Sequence, residues 1–211
     1  MGCAKFSSQP RRHQNPVQSL EPQQQAHVTD ELERAVRIST MAIPALGPVT
    51  LCAPGDASFL GWMHGAFIEL LAPHVEQVAR LARTGFVREI ETADYHLEFE
   101  EFPTETFHAS TLAGKEVLDA RAGMRSCPTL SKLAASLTAG RMPGHHATVF
   151  AAQAAVLHLS SQGILVGFAF DEWRRVNPAL KVTDFRHLLP AVTGVASAVF
   201  AGRDASRFQI A

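Results

Sequence analysis

The sequence predicts an all-α protein: a single antiparallel helical domain over residues 28–211, preceded by a disordered tail at residues 1–27. Three observations carry this. Apolar residues recur at spacings of three and four over most of the chain, the signature of helices with one buried face. Pro and Gly fall between these runs and divide them into helix-length pieces. The 211 residues are 46% hydrophobic, enough for one sizeable core and too few for two domains once the tail is set aside.

Residues 1 to 27 are rich in Gln, Ser, Pro, Arg and His and lack periodic hydrophobics, so ordering them would bury too little to offset the entropy lost. Thr29 fits an N-cap ahead of the acidic turn Asp30-Glu31-Leu32-Glu33, and that helix reaches about Met41. Pro44, Gly47, Pro48, Pro54 and Gly55 then impose a loop. Asp56 or Ser58 can cap a helix whose stripe is Phe59, Leu60, Met63, Phe67, Leu70 and Leu71. Pro73 either kinks that helix or opens a new one, continued by Val75, Val78 and Leu81 to Gly85.

Residues 86–102 read mostly as helix, although Tyr95, Leu97 and Phe99 alternate. Thr104 begins the next helix, which runs towards Gly123, and Pro128 begins a short one bearing Leu130, Leu133 and Leu137 and stopped by Gly140 and Pro143. Gly144 to about Leu159 forms an alanine-rich helix. Ser160, Ser161 and Gly163 supply a turn, Ile164 to Val176 follows as helix, and residues 185–200 close the domain.

Lys+Arg 19 against Asp+Glu 20 gives a net charge of -1, without the basic footprint of a nucleic-acid binder. Cys3, Cys52 and Cys127 are odd in number and widely spaced, which suits neither a disulfide framework nor a CxxC metal site and points to a reducing, cytoplasmic setting. No apolar run approaches the roughly 20 residues of a membrane span. The start lacks the apolar core of a secretory signal, and Phe6 occupies the position where N-acylation needs Ser or Thr.

Ten histidines invite a metal reading, yet none forms a pair three or four apart on a confident helix. His145 and His146 are adjacent, so their rings diverge on a helix, and their default reading is an exposed first turn, with a ligand role as the alternative. His158, between two leucines, reads as a hydrogen-bonded core residue. Cys127 reads as a structural thiol, its alternative being a nucleophile activated by the helix start at Pro128. Glu98, Glu100, Glu101 and Glu105 read as a solvated charge run. Trp173 among Arg174 and Arg175 is a composition favoured at protein interfaces, and equally a helix end with a core anchor. No phosphate loop, GxSxG elbow or HExxH motif occurs. No catalytic residue, metal ligand or cofactor is therefore assigned.

Four blocks resemble the urease accessory protein F family: FLGWMHGAFIELL at 59–71, PTETFHASTLAGKEVL at 103–118, GHHATVFAAQAAVLHLSSQGILVGFAF at 144–170 and HLLPAVTGVASAV at 187–199. The third is the best match. Two departures stand out: the family's Ser-His-Gly-Leu-Glu-like sequence is not found near Pro44 to Asp56, and a stretch before the last helix is shortened around Asn177 to Thr183. The resemblance implies an all-helical, non-catalytic chaperone of nickel urease assembly, acting as a dimer through contacts with a scaffold protein and a GTPase. It makes His108, His145 and His146 candidate contacts to a partner or to nickel, beside Trp173, Arg174 and Arg175 as partner-binding candidates. A fainter resemblance is to heme oxygenase, with His27 as iron ligand and STLAG at 110–114 as the distal helix, in which Gly114 would admit heme. A third reading is an unrelated interaction or effector protein.

Overall fold

A computed structural model describes residues 69–98, 104–120 and 127–176, together with Gln23, His27, Asp30, Leu32, Arg34, Phe67, Ala179 and Lys181. Among the described residues six helices follow one another: α1 Ala72–Thr84, α2 Val87–Glu98, α3 Thr104–Ala120, α4 Pro128–Thr138, α5 His146–Val156 and α6 Ser161–Val176. The all-helical class read from the periodicity is the class observed. Gln23, His27, Asp30, Leu32 and Arg34 also have helical backbone. The expected Thr29 cap, the stripe from Phe59 to Met63 and the closing helix at 185–200 lie outside the described residues, as does the acidic run apart from the backbone of Glu98 and Glu105.

Each helix boundary has a local cause. A π-helical turn at Phe67 and Glu69–Leu71 leads into α1, and Leu71 itself has helical φ and ψ, so the chain passes into Pro73 without leaving the helix. The proline lacks an N–H, and the first turn is where that loss matters least. Gly85, at φ 76°, ends α1; Phe86 N–H donates to the Leu81 carbonyl at 3.0 Å, the left-handed closure that glycine tolerates best. Pro128 opens α4 directly after extended Cys127.

Helix α5 is the hub, packing against α1, α3, α4 and α6. Its ten residues from His146 to Ala155 are all buried. Alanines at 147, 151, 152, 154 and 155 keep the helix thin enough for neighbours to close around it, and the larger Phe150 packs at a tilt against Phe168 of α6, with 5.7 Å between ring centres. The core continues through Leu71, Val75 and Val78 on the α1 side, Ile90 and Leu97 of α2, Leu133 of α4, and Ile164 and Leu165 of α6.

The α5–α6 connection differs from the expectation. Helix α5 stops at Val156, and His158 takes a left-handed φ of 59° and is exposed, whereas the sequence reading made it a core residue on a helix reaching Leu159. Its apolar neighbours misled: Leu159 is buried, but a left-handed residue turns its side chain out of the helix path. Arg83 of α1 holds this turn by donating to the Leu159 carbonyl at 2.9 Å and to Ser161 Oγ at 3.0 Å, and Arg34 donates to the Leu157 carbonyl at 3.1 Å. Ser160 then caps α6, its Oγ accepting from Gly163 N–H at 3.0 Å. Gly163 therefore lies inside the helix and not in the turn.

Candidate functional site: a buried polar cluster at the start of α5

The N-terminus of α5 carries the densest set of buried titratable groups among the described residues. A helix start exposes N–H groups that need acceptors, and no side chain within α5 supplies one. Two neighbouring helices do. Asp94 of α2, fully buried, accepts from Gly144 N–H, from His145 N–H at 3.1 Å and from the Thr148 hydroxyl. Ser110 of α3 accepts from His146 N–H at 3.1 Å. The carboxylate also places negative charge at the positive end of the helix dipole.

Behind Asp94 stands His74 of α1, with Nε2 2.8 Å from Thr148 Oγ1. The single Thr148 proton goes to Asp94, so Nε2 must be the protonated nitrogen and the relay runs His74 to Thr148 to Asp94. That donation fits a neutral ring whose single hydrogen is on Nε2. Burial pushes its pKa down to about 3, helped by the nearby charges that His145 and His96 would carry. Burial likewise lowers His145 to about 4.

His146 faces the other way, into the interior. Its Nδ1 lies 2.7 Å from Glu172 Oε1 and its Nε2 2.9 Å from Asp171 Oδ2, all three side chains buried. The ring is flanked by Phe150 and Phe168, with centres 5.9 and 5.6 Å away. One ring nitrogen meets each carboxylate, so the imidazole locks α5 to α6, as an ionic bridge when both nitrogens carry hydrogen. Glu172 Oε2 is buried without a hydrogen bond. Lower on α5, Gln153 Nε2 donates to the Val117 carbonyl of α3 at 3.2 Å.

The predicted exposed turn at His145 and His146 is thus corrected: each is 1% exposed. The cause is non-local, because Asp94 and Ser110 supply from 36 to 51 positions upstream the acceptors that water was expected to provide. His146 and Arg174 meet through Asp171, whose carboxylate also lies 3.7 Å from the Arg174 guanidinium, and that guanidinium sits 5.8 Å above the Phe170 ring. Trp173 is half-buried and packs against the core. His108 is exposed on α3, two residues before Ser110, and Arg175 has helical backbone in α6. Sequence reasoning passes over Asp94 and Thr148, and takes His74 only as a possible metal partner of His64, Glu172 only as a charge beside Trp173 and Ser110 only as part of STLAG. Asp94 leaves one trace, as an acid between the buried positions Ile90 and Leu97.

Chemically, this cluster can order a helix and join four others to it. The imidazole of His146 has both nitrogens engaged, and among the described residues no group of three or more His, Cys, Asp or Glu is arranged to hold a metal ion. Gly114, which the heme oxygenase resemblance would use to admit heme, faces the chain's own backbone: a Cβ there would stand 1.9 Å from the Gly144 carbonyl oxygen. Among the described residues no helix is long and apolar enough to cross a membrane.

Searches among curated proteins and among solved structures each returned no match. A family model, UreF, matches residues 56–175. The match spans more than half of the chain and takes in α1 to α5, nearly all of α6, and every residue of the buried cluster. The chain belongs to the UreF family of urease accessory proteins.

Proposed function

We propose that the protein is a non-catalytic chaperone of urease maturation, acting in the cytoplasm as a dimer and assisting nickel delivery by binding a companion scaffold protein and a GTPase. The observation that carries this reading is the family match over residues 56–175. The site supports it. Its acids and bases bind one another and the start of α5, so they set the positions of the outer helices, and it is those outer faces that a partner meets. Nickel in this reading is cargo for urease.

Two measurements test the proposal. Deleting the gene from a urease-positive host should abolish urease activation while urease subunits accumulate, and purified protein should co-elute with the scaffold protein and the GTPase. Normal urease activity in the deletion strain, together with no complex by size exclusion, would remove the reading.

A further inference from the structure

Away from the buried cluster, the junction of α1 and α2 with α4 forms an open cleft of about 620 Å³. Its most unusual feature is Phe86, 53% exposed, held outward by the left-handed turn at Gly85. Glu91 on the cleft wall is engaged, accepting from Ser136 Oγ and pairing with Arg141 at 3.5 Å. Arg88 and Lys132 also line the cleft and are exposed, and among the described residues neither forms an ion pair. One carboxylate, Glu89, remains beside them. Phe86, Arg88 and Lys132 thus line one cleft, which offers an apolar contact and charge complementarity to carboxylates in the same place.

We infer that this cleft is a docking site for a partner-protein segment that presents an apolar side chain next to one or two carboxylates. The apolar group covers Phe86 and the carboxylates pair with Arg88 and Lys132. Glu89 disfavours a dense acidic run, so the segment is mixed apolar and acidic and not polyanionic. The inference rests on the chaperone reading only in expecting a protein partner, and the groove lies within the family-matched residues.

The test uses the full chain and three fluorescein-labelled peptides: Ser-Gly-Phe-Asp-Leu-Glu-Gly-Ser, the same with Ala for Phe and Leu, and the same with Lys for Asp and Glu. Fluorescence anisotropy should show saturable binding of the first and at least ten-fold weaker binding of the other two. Arg88→Glu with Lys132→Glu, and separately Phe86→Ala, should each weaken the first peptide at least ten-fold; circular dichroism checks that these surface variants stay folded. Amide shifts confined to Gly85, Phe86 and Lys132 would place the peptide in the cleft. Equal binding of all three peptides, binding unaffected by the variants, or no binding up to about 1 mM, the weak end of specific recognition, overturns the inference. So does a homodimer that Phe86→Ala converts to monomer in sedimentation, since the cleft would then belong to a second copy. None of these outcomes bears on urease activation in the deletion strain, so the two readings fail separately.

Discussion

Replacing Gly114 by alanine tests how α5 is seated against α3. The added Cβ would lie 1.9 Å from the Gly144 carbonyl oxygen and 3.0 Å from the carbonyl carbons of Gly144 and His145. These are backbone atoms and cannot rotate aside. Restoring an ordinary contact of about 3.5 Å requires the two segments to part by roughly 1.5 Å. That movement would stretch the Ser110 bond to His146 N–H and the Gln153 bond to the Val117 carbonyl, both of which span the α3–α5 seam. Overpacking costs about 1–3 kcal/mol and each buried hydrogen bond left unmade about 1–3 kcal/mol, while alanine in place of glycine in a helix returns about 1 kcal/mol. The expected net loss is about 2 kcal/mol at the least and up to about 8 kcal/mol if both bonds are lost outright, read as a lower urea midpoint at unchanged slope. Gly140→Ala is the control, because nothing lies within 4 Å of its Cβ and the cost is only that of φ 67°, about 1–2 kcal/mol. A Gly114→Ala protein as stable as wild type, or more stable, would refute the close approach of α3 to the α5 start.

The remaining expectations concern the polar cluster. Asp94→Ala removes the acceptor for two backbone N–H groups and the Thr148 hydroxyl and should cost about 2–4 kcal/mol in urea unfolding, more than Ser110→Ala at about 1–2 kcal/mol; equal losses would mean Asp94 is not the principal cap. His146→Leu takes away the ring that joins two buried carboxylates and should cost about 3–5 kcal/mol, with part of that loss recovered by adding Glu172→Gln; a double mutant no more stable than the single one would deny the ionic bridge. Acid should destabilise the fold from pH 6.5 downward. His74 and His145 are neutral in both folded and unfolded chain above that pH; below it the unfolded chain binds protons that the folded one refuses, down to about pH 3 for His74 and about 4 for His145. Each removes up to about 1.4 kcal/mol per pH unit, or about 2 kcal/mol apiece by pH 5. His74→Gln should flatten that decline by about half, and a stability profile level between pH 7 and 5 would contradict the buried neutral pair.

What the sequence made legible follows from which forces are local. Helix ends depend on residues within a turn of the boundary, so Pro73, Gly85, Pro128 and Gly140 marked them well. The alanine-rich run after Gly144 showed a helix destined for the interior, because it has no polar face to present to water. The α5–α6 turn was misplaced by a few residues because Ser160, Ser161 and Gly163 look like a loop by composition, while Ser160 in fact serves as a cap and the reversal is made by His158. The cluster itself was illegible for a different reason. His145 and His146 need acceptors to be buried, and those acceptors come from α2 and α3, so nothing in the neighbouring sequence distinguishes them from an exposed turn.

That non-local capping bears on what the protein can do. A helix whose first turn is held by one side chain from α2 and another from α3, and whose His146 is bridged to α6, cannot shift without breaking bonds to three neighbours at once. The charged residues of the interior thus fix the relative placement of the outer helices. Binding by preformed surfaces loses less entropy than binding that must order the surface first. On the proposed reading, in which the protein engages both a scaffold protein and a GTPase, such rigidity is an advantage, since neither contact must reorganise the other's face. Loosening the cluster should therefore weaken both partner contacts together, whereas changes in the Phe86 cleft should weaken only the partner seated there; measuring each pairwise affinity for Ser110→Ala and for Phe86→Ala separates the two, and a Ser110→Ala protein that stays folded yet loses one contact alone would show that the faces are not held by a common hub.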